Sequence, residues 1–241
     1  MTNIYDDPSF FDKYSEMQRS TDGLDGAGEW HALKALLPSF KDKTVLDFGA
    51  GYGWHALYAA EHGAAHVFAV DQSRKMIETA KKKNPHPNIE YQTGGTSILD
   101  ETDIHFDIVL SSLVFHYIED IDALFKTIYS KMTSGGSFIF TVEHPVFTAE
   151  GSQNWVYNDN GEISHFPVDH YFYEGERTAE FLGVNVTKYH RTLETYVKAL
   201  LNNGFHIKDM VEPKPADHLM NIDGMKDELR RPMMLIISAE K

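Results

Sequence analysis

From Thr44 onward, short runs of β-branched and aromatic residues alternate with helical stretches, and this alternation restricts the possible topologies more than any other feature. TVLDF (44–48), AHVFAV (65–70), NIEYQ (88–92), HFDIVLSS (105–112) and GSFIFTVE (136–143) read as strands. WHALYAAEHG, SRKMIETAKKK and DIDALFKTIYSKM read as helices between them. Strands separated by helices need crossover connections, and crossovers imply a parallel sheet covered on both faces. The expected fold class is α/β, doubly wound. Near the end the pattern continues as the helix RTLETYVKALLNNG, the strand FHIKDMVEP, a polar loop over 214–231 and the strand MMLIISAEK.

The alternation is interrupted at about 145–191 by a segment rich in aromatic and turn-forming residues, within which VNVTKYH reads as a strand returning toward the core. A long interruption in a compact sheet suggests either a cap over the ligand-binding edge or a loop that covers core surface. The net charge of -14 disfavours nucleic-acid backbones and anionic membrane surfaces as partners. There is no cysteine, so disulfides, thiolate metal sites and cysteine nucleophiles do not arise. Thirteen histidines are present without a His-x-x-x-His or acid–His spacing on one element, so no metal is expected. With acids at the N-terminus and no apolar stretch of membrane-spanning length, a cytoplasmic monomer or homodimer is expected.

The segment VLDFGAGYGWH (45–55) joins the first strand to the first helix of this alternation and places Gly49, Gly51 and Gly53 at alternate positions. Glycines there allow tight-turn dihedrals and close approach of a nucleotide-like ligand at the first crossover. A dinucleotide fold wants Gly-x-Gly-x-x-Gly, yet position 54 is Trp, which counts against an NAD(P)-dependent oxidoreductase.

The shifted third glycine, with Asp47 two residues before Gly49, resembles motif I of the class I S-adenosylmethionine-dependent methyltransferases. Further blocks follow in order: VDQSRKMI after the second strand, HFDIVLSSLVFHYIED around the fourth, and SKMTSGGSFIF before the fifth. The resemblance extends over almost the whole chain, through TVEHPVF, HYFYEGER, KYHRTLETY and RRPMMLIISAEK, toward bacterial enzymes of the ubiquinone/menaquinone-methyltransferase-like group. It implies a Rossmann-like, seven-stranded, mostly parallel sheet with an antiparallel last strand. It also implies an N-terminal helical lid over 1–40 and a methyltransferase domain over 41–241 with the cap inserted at about 145–191. Asp47, Gly49, Ala50, Gly51, Gly53, Asp71, Gln72 and Met76 would then form the S-adenosyl-L-methionine site, with Asp71 on the ribose hydroxyls and Met76 near adenine. Thr96 and Ser97 would contact the adenine ring. Ser111 and Leu113 would run beside the methionine part of the cofactor, and Tyr14 with Arg19 or Trp30 would lie near its methionine end.

Methyl transfer from a sulfonium is an in-line displacement, so alignment, water exclusion and, for an OH or NH nucleophile, proton removal are what the protein supplies. Polar residues at the carboxyl ends of the fourth and fifth strands are the candidate bases: His116, Tyr117, Glu143 and His144. The competing reading makes His116 a helix-start residue packed under the cap and His144 a pre-proline turn residue. In the interrupted segment Trp155, Tyr171, Tyr173, Tyr189 and His190 are candidate substrate contacts or simply packing aromatics. Arg177 and Arg191 are candidate anion clamps. A small-molecule acceptor with an O, N or C nucleophile is expected. A cofactor-binding regulatory protein without transfer activity, or a protein or RNA methyltransferase, stands beside it. The Asn/Asp-Pro-Pro-Tyr signature of ring-nitrogen methylation is missing after strand four, where the chain reads SSLVF.

Overall fold

The computed structural model describes residues 3–241, so the first two residues of the 1–40 segment lie outside it. Three short helices lead in: α1 (Pro8–Ser15), α2 (Gln18–Thr21) and α3 (Trp30–Leu36). The alternation then runs β1 (Thr44–Phe48), α4 (Trp54–Glu61), β2 (His66–Asp71), α5 (Arg74–Lys83), β3 (Ile89–Thr93), α6 (Ile98–Glu101), β4 (Phe106–Ser112), α7 (Ile121–Lys131) and β5 (Met132–Glu143). Helix α8 (Pro145–Thr148) and strands β6 (Val156–Tyr157), β7 (Ile163–His165), β8 (Gly175–Phe181) and β9 (Val184–His190) fill the interruption. Helix α9 (Leu193–Asn202), β10 (His206–Val211) and β11 (Met234–Glu240) complete the chain.

Seven strands form one sheet in the order β10-β11-β5-β4-β1-β2-β3. All neighbours from β3 to β5 pair in parallel, whereas β11 is antiparallel to both β5 and β10. The inner strands are apolar on both faces because both faces are covered. Leu46 and Phe48 of β1 point to the side packed by α6, α7 and α9, where a cluster of phenylalanines forms the core. Val45 points to the side packed by α3, α4 and α5, where Ala56, Ala59 and Ala60 let α4 approach closely. The chain leaves β1 first toward β2 and β3, then returns to place β4 on the opposite side. The carboxyl ends of β1 and β4 therefore open a crevice, the usual ligand position of such sheets.

Two sequence expectations change. VNVTKYH is the strand β9, but it pairs with β8 rather than with the main sheet. Leu182 and Gly183 join the two strands with positive φ (54° and 80°), as a two-residue hairpin turn of this hand requires. In addition, β5 begins at Met132, four residues before the expected 136, because Met132 pairs with Phe106 before the register jumps to Ser137 opposite Ile108.

Phe138 is fully buried, with ring centroids of Phe125, Phe140 and Phe205 at 5.2, 5.0 and 5.2 Å. Phe138→Ala is expected to cost about 3–5 kcal/mol in urea unfolding. Phe172→Ala, at an exposed position, should stay within about 0.5 kcal/mol of the parent.

Candidate functional site

The turn from β1 into α4 occupies five residues. Gly49 and Ala50 both donate their N–H groups to the Val70 carbonyl, at 2.8 and 2.9 Å, which ties the turn to the end of β2. Gly49, Gly51 and Gly53 all have positive φ (81°, 53° and 79°), but for different spatial reasons. A Cβ on Gly49 would lie 2.1 Å from Val114 Cγ2, and one on Gly53 would lie 2.4 Å from the Tyr91 hydroxyl. A Cβ on Gly51 meets no protein atom within 4 Å. Only Gly51 thus keeps space open for a ligand; the other two make room for the protein itself.

Asp71, at the end of β2, accepts from Gly51 N–H through Oδ2 (2.9 Å) and from Ser73 N–H through Oδ1 (2.8 Å). Burial raises its pKa, while these two hydrogen bonds work in the opposite direction. Each oxygen retains lone-pair capacity for a further donor, such as a diol hydroxyl. Asp47 lies beneath the loop, 1 % exposed and away from the cavity, with Oδ2 lacking a partner. Desolvation pushes its pKa up to about 7, opposed by a hydrogen bond from the Ala56 backbone.

The carboxyl ends of β4 and β5 form the far wall. Leu113 follows β4 with φ of 57°, an unusual conformation for a bulky side chain, fixed by donation of its N–H to the Thr141 carbonyl (2.9 Å) and hydroxyl (3.0 Å). The buried Arg191 guanidinium donates to the carbonyls of Phe115, Ile118 and Glu119 and so holds the loop that carries His116 and Tyr117. His116 is buried; its Nδ1 accepts from Glu143 N–H at 3.4 Å, which places the neutral ring's proton on Nε2. Burial lowers its pKa to about 4 against the pull of Glu143, so the ring is neutral at physiological pH. Tyr117 stays protonated because burial raises its pKa, and its hydroxyl lies 3.3 Å from that of Tyr5.

Glu143, Lys188 and Gln153 close a buried triangle. Lys188 Nζ donates to Glu143 Oε1 (2.6 Å) and to Gln153 Oε1 (2.8 Å), while Gln153 Nε2 donates to Glu143 Oε2 (2.7 Å). Although burial opposes ionisation of Glu143, the neighbouring His116 and Lys188 and the hydrogen bonds outweigh it and lower its pKa. A second buried pair joins Arg19 to Glu29 Oε1 at 2.7 Å. Glu29 Oε2 has no partner among the described residues.

These groups surround one cavity of about 1110 Å³. Of the residues singled out in the sequence, Tyr14, Arg19, Gly49, Gly51, Asp71, Gln72, Met76, Leu113, His116, Tyr117, Glu143 and Trp155 line it. Ala50 and Gly53 support the loop from behind. Trp30 is a core residue packed edge-on against His55 and Tyr58. Thr96 and Ser97 are exposed at the start of α6, and Gly94 lines the cavity instead. The Ser111 hydroxyl is used internally, donating to the Phe48 carbonyl at 2.8 Å.

His144 also lies off the cavity. Its Nδ1 accepts from Val146 N–H (3.0 Å) as the cap of α8, and its Nε2 faces Glu212 at 2.9 Å. His190 bridges the Thr148 hydroxyl (2.7 Å) and the Tyr171 carbonyl (2.9 Å), and the Tyr171 hydroxyl accepts from Leu193 N–H (3.1 Å). Tyr173 is exposed, and Tyr189 packs under Arg191. Arg177 and Arg191 spend their donors on backbone carbonyls, so neither is an anion clamp. Sequence reasoning missed Glu29, Lys188 and the 213–234 segment, which contributes Met225, Met233 and Met234 to the cavity. An acid one residue before a Trp and a Lys within a strand carry no signal until a partner from elsewhere is brought to them.

The three glycines are separable by experiment. Gly49→Ala is expected to lower the melting temperature through its clash with Val114. Gly51→Ala should retain most of the fold, at a conformational cost of about 1 kcal/mol, yet weaken S-adenosylhomocysteine affinity in calorimetry by about tenfold or more. Asp47 makes a second prediction. Its folded pKa lies above the unfolded value, so the folded state binds more protons and Asp47 costs stability as pH rises from about 4 to about 7. Urea unfolding of Asp47→Asn across that window should lack this decline relative to the parent.

Comparison with known proteins agrees with this geometry. A family profile described as a methyltransferase domain matches residues 46–140. A crystal structure described as an S-adenosylmethionine dependent methyltransferase from Listeria monocytogenes matches with a TM-score of 0.82 and 50% identity, covering 89% of this chain and 98% of that one. A second, from Mesorhizobium loti, matches with a TM-score of 0.82 and 38% identity, covering 91% and 100%. An uncharacterised protein of Haemophilus influenzae is 33% identical over 246 residues, 99% of this chain and 97% of its own length. The chain belongs to the S-adenosylmethionine-dependent methyltransferases, and S-adenosylmethionine is its cofactor.

Proposed function

We propose that this enzyme transfers a methyl group from S-adenosylmethionine to a small molecule held in the same cavity. The observation that carries the reading is the cavity's size and the two kinds of wall that line it. Single-ligand pockets run to about 300–1,000 Å³, and this one exceeds that range, with a nucleoside-suited wall at Asp71 and Gly51 and a separate polar wall at Lys188 and His116. A macromolecular acceptor would need only one of its groups to enter, whereas this cavity is lined by residues from both 3–40 and 145–191.

The residues present fit the cofactor. Asp71 would hold the ribose diol, Gly51 would admit the sugar without a colliding Cβ, and Gln72 and Met76 would border adenine. Arg19 would take the methionine carboxylate, and the unpartnered Oε2 of the buried Glu29 would take its ammonium group, with Tyr14 beside them. S-adenosylmethionine supplies an electrophilic methyl group on a sulfonium whose departure leaves a neutral thioether. The protein's part is to fix the acceptor in line with that group and to exclude water. Residues 1–40 would serve as a lid, and 145–191 as a substrate cap on the 41–241 domain. Arg230 and Arg231, which stack on Trp155 at 5.2 and 5.0 Å, would anchor that cap to the 213–234 segment.

A metabolite panel assayed by S-adenosylhomocysteine release tests the reading: turnover of small molecules is expected, and methylation confined to protein or RNA overturns it. Asp71→Ala should weaken S-adenosylhomocysteine binding by about 10–100-fold, as loss of hydrogen bonds to a charged group implies. Glu29→Gln should weaken S-adenosylhomocysteine binding while leaving methylthioadenosine, which lacks the amino-acid end, unaffected.

A further inference from the structure

The cavity wall formed by His116, Tyr117, Glu143 and Lys188 has an uneven supply of donors and acceptors. Both carboxylate oxygens of Glu143 already accept short hydrogen bonds, whereas Lys188 Nζ uses two of its three N–H groups. His116 presents Nε2–H, since its Nδ1 is occupied by the Glu143 amide. The Tyr117 ring lies beside them, 4.4 Å from the His116 ring and 6.0 Å from Lys188 Nζ. The charges bearing on His116 are the cations Lys188, Arg191 and Arg19 against the single carboxylate Glu143. Arg19 is paired with Glu29 and Arg191 is spent on backbone carbonyls, so the free donors of this wall are Lys188 Nζ and His116 Nε2.

The same wall is poor in proton acceptors. Glu143 is held ionised in its pair, its lone pairs directed to Lys188 and Gln153. The accepting nitrogen of His116 is turned away from the cavity, and Tyr117 is a neutral phenol. A hydroxyl or ammonium acceptor that had to lose its proton during transfer would find no free base on this wall; the other acids lining the cavity are Glu29 and Asp71, given to the cofactor above, and Asp223, Asp227 and Glu228 on the 213–234 segment.

We propose that the acceptor binds as a preformed oxyanion, a carboxylate or the anion of an acidic phenol or enol, against Lys188 Nζ and His116 Nε2, and is methylated on oxygen. An oxygen lone pair forms the O–CH3 bond while the S–CH3 bond breaks and its electron pair passes to sulfur. No proton moves, and the negative charge of the acceptor cancels the positive charge of the sulfonium. The product is a methyl ester or methyl ether. On a carboxylate, Lys188 and His116 take one oxygen and leave the other free to react; on a phenolate or enolate they bond the single oxygen, whose remaining lone pair aligns with the methyl group. This inference rests on the small-molecule reading above and narrows it.

The test uses the full chain saturated with S-adenosylhomocysteine, so that the cofactor's own carboxylate site is filled. Benzoate and 4-nitrophenolate are compared with benzylamine and benzyl alcohol by thermal shift and calorimetry at neutral pH. The two anions are expected to raise the melting temperature and to bind at least about tenfold more tightly than the amine and the alcohol. The paired substitution Lys188→Gln with Glu143→Gln leaves no unpaired buried charge and should abolish that preference while S-adenosylhomocysteine still binds. If the triangle were only a latch for β9, the paired substitution would shift the melting temperature and leave the preference for benzoate intact, and that result overturns the proposal. Equal or tighter binding of benzylamine or benzyl alcohol, or binding of no probe, overturns it too. Either failure with small molecules still methylated in the panel leaves the broader reading standing; methylation confined to protein or RNA removes that reading independently.

Discussion

The structure depends on the way the chain turns from β1 into α4. Five residues reverse its direction, and the turn is possible because the amides of Gly49 and Ala50 share the Val70 carbonyl while Gly51 N–H reaches the Asp71 carboxylate. Those bonds tie β1 to β2 beside the sheet's switch point, which lies between β1 and β4, where chain connections depart to opposite sides. The close contact of Gly49 with Val114 and of Gly53 with Tyr91 couples the same loop to the continuation of β4 and to β3. The glycine loop, the end of β2 and the segment after β4 are therefore one packed unit.

Charge is placed around that unit with little slack. A buried ion pair adds little net stability, since desolvation offsets most of the Coulomb attraction. Lys188 with Glu143 is better understood as an orienting device: it fixes β9 against the end of β5 and presents a defined donor to the cavity. Arg191 does comparable work on the backbone, holding the Phe115–Glu119 loop by its carbonyls. Two arginines that resemble anion clamps in the sequence are thus consumed in shaping loops. The cation that this region presents to the cavity is instead a lysine inside a strand.

The legible parts of the chain were those whose signal is local. The strand-to-helix periodicity located β1, β2, β3 and β4 to within a residue, because burial on both faces leaves an apolar run that turn residues delimit. Asp71 and Gly51 were legible because each is set by its place in a short turn. Trp30, His144 and His190 were misleading for one shared reason. Aromatic and imidazole side chains serve packing and capping as readily as ligand contact, and the choice depends on neighbours such as Tyr58, Val146 and Thr148. Nothing in the sequence around Thr96 and Ser97 reveals that the cavity reaches Gly94 and stops.

The sequence by itself determined the α/β class and the glycine turn with its acid. These are properties of consecutive residues, fixed by backbone sterics and by the period of burial. Only the tertiary structure decided which glycine faces the ligand, which histidine faces the cavity, and that Lys188, 45 positions beyond Glu143, completes its wall. Those outcomes are long-range pairings, and the energy of a buried charge or a Cβ contact is defined only once its partner has been brought to it.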